Sequence, residues 1–432
     1  MTNTISKTVF CLIILLTFGN CSSDDDSNSV NQAPSEFQVM ATAHDTGLGI
    51  NLTWSAAIDP EGEAVTYQVL MEGNSQAQDL TTLSYTMEGP GYNTMTNGMV
   101  IATDPQGAST QTIFEVVTSS LVDIPDAGFE TFLVFQGIDT DVSVNQQMHY
   151  TDAVAILELN IPFILGAPAI NSIEGIEAFT NLKVFIHNNG VLTSVDFSKN
   201  TALEKIQLFA NQLTEIDLSQ NTALLELDVS SNQLSALDLS ANTLISELGC
   251  GNNQLTTLNV NHLSALKVLS VYGNGLTELE TSNNNSLVFL NCSDNSLSTL
   301  DVSLNQNIEL LGAAENNISS INFNNNEVLR ILDVNDNQLT ELDLSQAPFL
   351  EEFSGASNQF STLDFSTNVD ITKIHCSSNG LQTLDLRNGN VNLIDNFDAT
   401  QNPDLIICMD AFPNAVILNN IDDSADISFD CD

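Results

Sequence analysis

Ten positions spaced 21 residues apart carry the densest chemistry in this chain. They are Asp196, Asp217, Asp238, Glu280, Asp301, Asp343, Asp364 and Asp385, with Asn259 and Asn322 completing the series. Carboxylates in register on successive turns of a coil would stand about 4.8 Å apart and repel unless cations or salt screen them. Calcium is the chemistry such a column suggests, but a compact cage of six or more oxygens is not visible in it. No cofactor is expected, with calcium as the open alternative. The histidines, His44, His149, His187, His262 and His375, are scattered. They form no His-Glu-x-x-His, and the chain has no zinc-type cysteine pairs and no phosphate loop. The reading is a non-catalytic protein.

The element that positions this column is a repeat. Nine asparagines, Asn211, Asn232, Asn253, Asn274, Asn295, Asn316, Asn337, Asn358 and Asn379, keep the same interval of 21. The surrounding frame recurs, as in Leu224-Leu-Glu-Leu-Asp-Val-Ser-Ser-Asn232. A fixed short period predicts a solenoid, in which each unit buries its apolar face only against its neighbours. Units begin at Leu182, Leu203, Leu224, Ile245, Leu266, Leu287, Ile308, Leu329, Leu350 and Ile371, without insertion or deletion. Leu227 and Val229 alternate on one strand and point inward, so each repeat adds a strand to a parallel sheet. Asn232 turns the chain out of that strand, and its amide serves backbone groups the turn leaves unpaired.

The spacing Leu-x-x-Leu-x-Leu-x-x-Asn-x-Leu resembles the leucine-rich repeat family in its short, internalin-like bacterial form, over about two thirds of the chain. Ile173 to Leu182 looks like that family's degenerate opening rungs. The resemblance implies a β-rich α/β solenoid, a right-handed coil with a helical N-terminal cap and a concave sheet commonly used for binding. Asp126 to Gln136, with Phe129, Phe132 and Leu133 at helical spacing and Gly137 as a stop, reads as the cap helix. The following Asp139-Thr-Asp-Val-Ser143 begins like a calcium loop but lacks its glycine and closing glutamate, so it reads as a turn.

On the concave face, the position before the first inward residue runs Lys205, Glu226, Glu247, Val268, Phe289, Leu310, Ile331, Glu352, Lys373. Four apolar rungs interrupt the charge. With Tyr272 on the same side, Val268, Phe289, Leu310 and Ile331 are the expected partner-binding residues, since a charge-rimmed apolar patch marks an interaction site. The alternative is that these side chains pack on one another along the sheet.

Cys250, Cys292 and Cys376 share the inward position of Val229, at least two rungs apart and beyond disulfide reach, so they read as core thiols. Cys408 and Cys431 follow the last repeat and read as a disulfide closing a terminal cap.

Residues 34–120 change to short alternating runs such as Ile50-Asn-Leu-Thr-Trp54 and Val65-Thr-Tyr-Gln-Val-Leu70, separated by turn residues, which predicts a small β-sandwich. Together with Asp59-Pro-Glu-Gly62, Tyr67 and Asp104-Pro-Gln-Gly107 they resemble a bacterial fibronectin type III domain, with Trp54 and Tyr67 in its core. The two Asp-Pro-x-Gly segments read as turns.

At the start, Lys7 precedes the apolar run Val9 to Leu16, too short to span a membrane and typical of an export signal. With Cys21 it resembles a bacterial lipoprotein signal, although Asn20 replaces the small residue usual there. The resemblance implies acylation of Cys21 and membrane attachment by this lipid alone. The acidic stretch after it is a flexible tether and resembles the surface-export signal of Bacteroidota lipoproteins. An outer-membrane lipoprotein exposed at the cell surface is the expectation, with the same anchor facing the periplasm as the alternative.

The expected organisation is a signal peptide over 1–20, a tether over 21–33, a fibronectin type III-like sandwich over 34–120, a cap with degenerate first repeats over 121–181, leucine-rich repeats over 182–407 and a C-terminal cap over 408–432. The chain has 432 residues, with 55 acidic against 8 basic side chains and a net charge of −47, which repels phosphate backbones and excludes nucleic acid as a partner. The expected function is recognition or adhesion through a protein partner. Glycan capture for a nutrient-uptake system and self-association as a homo-oligomer are the alternatives.

Overall fold

A computed structural model describes residues 30–44, 49–89, 91–163, 166–410, 413 and 415–431. The expected signal peptide, Cys21 and most of the tether lie outside the described residues. Two compact units emerge: one around Leu52–Tyr85 and Thr96–Glu115, the other containing everything from Val116 onward together with Thr42–Asn51 and Thr86–Met95. Among the described residues no helix is long and apolar enough to cross a membrane.

Residues 39–117 carry seven strands: β1 Val39–Ala43, β2 Gly49–Trp54, β3 Thr66–Met71, β4 Asn74–Leu80, β5 Ser84–Glu88, β6 Met95–Thr103 and β7 Ser109–Val117. They form two sheets, β1-β2-β5 and β4-β3-β6-β7. Alternating burial along β3 leaves Tyr67, Val69 and Met71 inside. The Tyr67 ring packs 5.5 Å from Trp54 and 5.9 Å from Phe37, and its hydroxyl accepts from the Ala57 amide at 2.9 Å. Both Asp-Pro-x-Gly segments are turns, with Asp59 accepting from the Glu63 amide and Asp104 from those of Gln106 and Ala108.

In the second unit, β8 Leu121–Asp123 pairs antiparallel with β9 Gln147–His149, and helices α1 Ala127–Phe135 and α2 Tyr150–Val154 flank the pair. Asp126 caps α1 by accepting from the Phe129 amide at 2.9 Å, and Gly137 in the left-handed region follows its end. The Asp139 segment is a turn, its carboxylates accepting from the amides of Asp141 and Ser143.

A parallel sheet of twelve short strands then runs from Glu158–Asn160 to Asn396–Asp398, one strand per turn of the coil. Register is in phase throughout, as in Leu227↔Leu248 and Leu290↔Leu311. Three residues per strand suffice because each rung repeats the last, so each inward leucine of the strands meets its counterpart on the next turn, as Leu227 meets Leu248. Leu227, Val229, Leu234 and Leu239 are all buried, and one continuous core extends along the coil. Cys250, Cys292 and Cys376 lie within it as free, buried thiols. Cys408 and Cys431 form a disulfide.

Two asparagine ladders stitch the rungs together. In the first, Asn232 Nδ2 donates to the carbonyls of Leu208, Val229 and Ser230, while its Oδ1 accepts from the Leu213 amide at 3.0 Å. The residue before each such asparagine sits in the left-handed region, as in Ala210, Ser231, Asn252 and Asp294. Such a conformation costs a non-glycine residue on the order of 1 kcal/mol, a cost the amide network offsets.

The second ladder, Asn200, Asn221, Asn242, Asn284, Asn305, Asn326 and Asn368, is fully buried on the opposite side of the coil. Asn242 Nδ2 there donates to the carbonyls of Leu218 and Asn221. Where Leu263 interrupts this series, the neighbouring His262 substitutes, its Nε2 donating to the Leu239 carbonyl at 2.8 Å.

Candidate functional site

The sheet strands place Val268, Phe289, Leu310 and Ile331 in direct register: Val268↔Phe289, Phe289↔Leu310 and Leu310↔Ile331. Each occupies the first position of a three-residue strand whose second residue points into the core, so all four project from the sheet face. They form a row, and each is half-buried, not fully open to solvent as their alternation alone suggests. Neighbours about 4.8 Å away on either side cover part of every side chain.

Glu247 adjoins the row at one end, in register with Val268, and ion pairs lie beyond it and at the other end. Lys205 pairs with Glu226 on the adjacent rung, and Lys373 Nζ lies 2.6 Å from Glu352 Oε1. These are exposed pairs, worth little to stability. They frame an apolar stripe four rungs long.

Tyr272 does not join that stripe. Its ring leans over the preceding rung, where a Cβ on Gly251 would meet Tyr272 Cε1 at 2.4 Å. Tyr272 and Val268 instead line a depression of about 320 Å³ with Glu226, Asp228, Glu247 and Gly249. The five expected contact residues therefore divide: Val268 belongs to both groups, Tyr272 to the depression, and Phe289, Leu310 and Ile331 to the stripe. What the repeat pattern misses is the pair of glycines, Gly249 and Gly251, that hollow the sheet face beside Tyr272. Their signal is visible in the sequence as two small residues where other rungs carry Asp228 and Ser230.

The acidic column is a set of turns. Each member accepts from the amide two residues on, as in Asp217 from Ser219 at 2.9 Å, Asp238 from Ser240 at 2.9 Å and Asp301 from Ser303 at 3.0 Å. Asn259 and Asn322 do the same with Asn261 and Asn324. These amides, reinforced by the serine hydroxyls, hold the carboxyls of Asp217, Asp238 and Asp301 below their usual range. Among the described residues no group of three or more His, Cys, Asp or Glu is placed to hold a metal ion.

No protein-family model matches the sequence, and no curated protein is similar to it. Among solved structures the chain is similar to the functional domain of InlJ from Listeria monocytogenes, a domain described as including a cysteine ladder. The identity is 27% and the TM-score 0.59, over 70% of this chain and 69% of that one. YopM from Yersinia enterocolitica is 26% identical with a TM-score of 0.47, over 64% of this chain and 62% of that one. The in-phase frame, the parallel ladder and the likeness to InlJ support a leucine-rich repeat coil.

Proposed function

We propose that this chain is a non-catalytic recognition or adhesion protein whose leucine-rich repeat sheet binds a protein partner on its concave face. The observation that carries the reading is the row Val268, Phe289, Leu310, Ile331, in register and half-buried, with Glu247 and the pair Lys205–Glu226 toward one end and the pair Lys373–Glu352 at the other. Completing the burial of four large apolar side chains would contribute roughly 25 cal/mol per Å² of area removed from water, and an apolar centre with a charged rim is the usual anatomy of a hot spot.

The rest of the chain serves display. Cys21 anchors the protein to the outer membrane as a surface-exposed lipoprotein, residues 21–33 tether it, and a fibronectin type III-like domain spaces the coil from the anchor. Sheets ordered β1-β2-β5 and β4-β3-β6-β7 support that spacer. Helix α1 and the β8-β9 pair support an N-terminal cap.

One observation favours a second reading. The depression beside Tyr272 joins an aromatic ring to three carboxylates, Glu226, Asp228 and Glu247, groups that suit the apolar face and hydroxyls of a sugar.

A capture experiment tests both. The purified protein and a Phe289→Ser, Leu310→Ser variant serve as baits against bacterial and host surface proteins and against a polysaccharide panel. A protein retained by the wild type and lost by the variant supports the row. A polysaccharide retained by both, and lost on Tyr272→Ala, transfers function to the depression. Equal retention of proteins by both baits overturns the proposal.

A further inference from the structure

Four rungs before Tyr272's own, the inward column opens with a polar residue. His187 occupies the position that Leu208 and Val229 fill on the following turns, and it is 6% exposed. Its Nδ1 lies 3.3 Å from the Ile161 carbonyl. A carbonyl only accepts, so Nδ1 carries the proton and Nε2 presents a lone pair. That lone pair is buried and has no hydrogen-bond partner among the described residues. Burial pushes the pKa of His187 down, so the ring stays neutral.

The atom faces Gly190, where a Cβ would come within 2.4 Å of His187 Nε2 and of Asn211 Oδ1. Gly190 stands where the next rungs carry the ladder asparagines Asn211 and Asn232. The first ladder therefore stops one rung short, and the bare glycine backbone packs directly against His187 Nε2 and Asn211 Oδ1.

Space opens there. An apolar cleft of about 360 Å³ is lined by Phe132, Phe135, Pro162, Phe163 and Val191 together with His187 and Gly190. Gly128 lets α1 close on the far wall, since a Cβ there would meet the Ala169 carbonyl oxygen at 2.4 Å. Phe135 and Phe163 stay 77% and 65% exposed at the cleft. The volume lies at the lower end of small-molecule sites, roughly 300–1,000 Å³, and a mostly apolar lining with one placed polar atom is their usual composition. An unpaired buried acceptor is destabilising, and a ligand donor would relieve that cost.

We propose that this cleft binds a small aromatic molecule carrying a single N–H or O–H donor, with the rings of Phe135 and Phe163 against its faces and His187 Nε2 accepting its hydrogen bond. The site is independent of the apolar row four to seven rungs along the coil.

Isothermal titration of the full-length protein with indole, and with benzofuran, which keeps the ring shape but replaces the donor with oxygen, tests the assignment. Indole is expected to bind saturably and benzofuran at least tenfold more weakly. A Phe135→Ala, Phe163→Ala variant, altered only at exposed rings, is expected to weaken indole at least fivefold with an unchanged melting temperature. Equal affinity for the two probes, no saturable binding of indole, or full affinity in the variant would each overturn the proposal.

Discussion

The ring of Tyr272 rests on Gly251, one rung back, so closely that a Cβ at residue 251 would lie 2.4 Å from the tyrosine Cε1. Gly251→Ala must therefore displace the ring or shift the rung. We expect a loss of roughly 1–3 kcal/mol, the usual cost of overpacking, measured by urea unfolding. In a Tyr272→Ala background the same substitution should cost nearly nothing, because the clashing atoms are gone. An identical cost in both backgrounds would place the strain elsewhere.

The register Phe289↔Leu310 has a consequence for the binding row. Phe289→Asp with Leu310→Asp would set two carboxylates on adjacent rungs, about 4.8 Å apart, in a chain whose net charge is already −47. Melting should fall by several degrees, with serine at both positions costing clearly less. A melting temperature unchanged by the aspartates would mean the side chains are freer of each other than the half-buried row implies.

Asn232 serves four backbone groups at once. Replacing it with alanine strands the Leu213 amide, at a cost on the order of 1–3 kcal/mol, while the carbonyls of Leu208, Val229 and Ser230 keep the bonds they accept from Asn211, Asn253 and Ala210. Asn232→Ala should lose roughly 1–3 kcal/mol in chemical denaturation. Asn232→Asp should fail similarly, since the carboxylate keeps the acceptor and loses both donors. A loss under about 1 kcal/mol would show that water replaces the amide.

The turns of Asp217, Asp238 and Asp301 predict an acid limit. Their carboxyls titrate below the usual range when folded, because backbone amides of Ser219, Ser240 and Ser303 bind the anion. A depressed folded pKa stabilises above the unfolded value, about 3.9, and that stability disappears as pH falls through the folded value. Changing all three to asparagine, which already makes this turn at 259 and 322, should flatten melting temperature against pH below about 4. Parallel curves for wild type and variant would remove these residues from the acid response.

Cys250 and Cys292 are pushed up to about 12 by burial, and burial raises Cys376 as well. Alkylation at pH 8, mapped by mass spectrometry, should leave all three unmodified in the native protein and modify all three in denaturant. Native modification of any one would mean that its rung opens on the timescale of the reaction.

Periodicity made the coil readable. A side chain 21 residues from its counterpart must meet it, so the strand positions, the inward thiols and the first asparagine ladder follow from the frame alone. The second ladder keeps the same interval and escapes notice only because Leu263 and Ala347 interrupt it. The acidic column was legible as a column, while its purpose was not: an Asx turn depends on where an amide two residues on points, which backbone conformation decides. Tertiary structure alone decided the departures from the repeat. Tyr272 could have stood over its own rung or the one before, and only the missing side chain at Gly251 draws it back. The cleft at His187 arises where the periodic coil meets α1 and the loop after Ile161, segments with no repeat to align, so packing between them is a property of the folded chain.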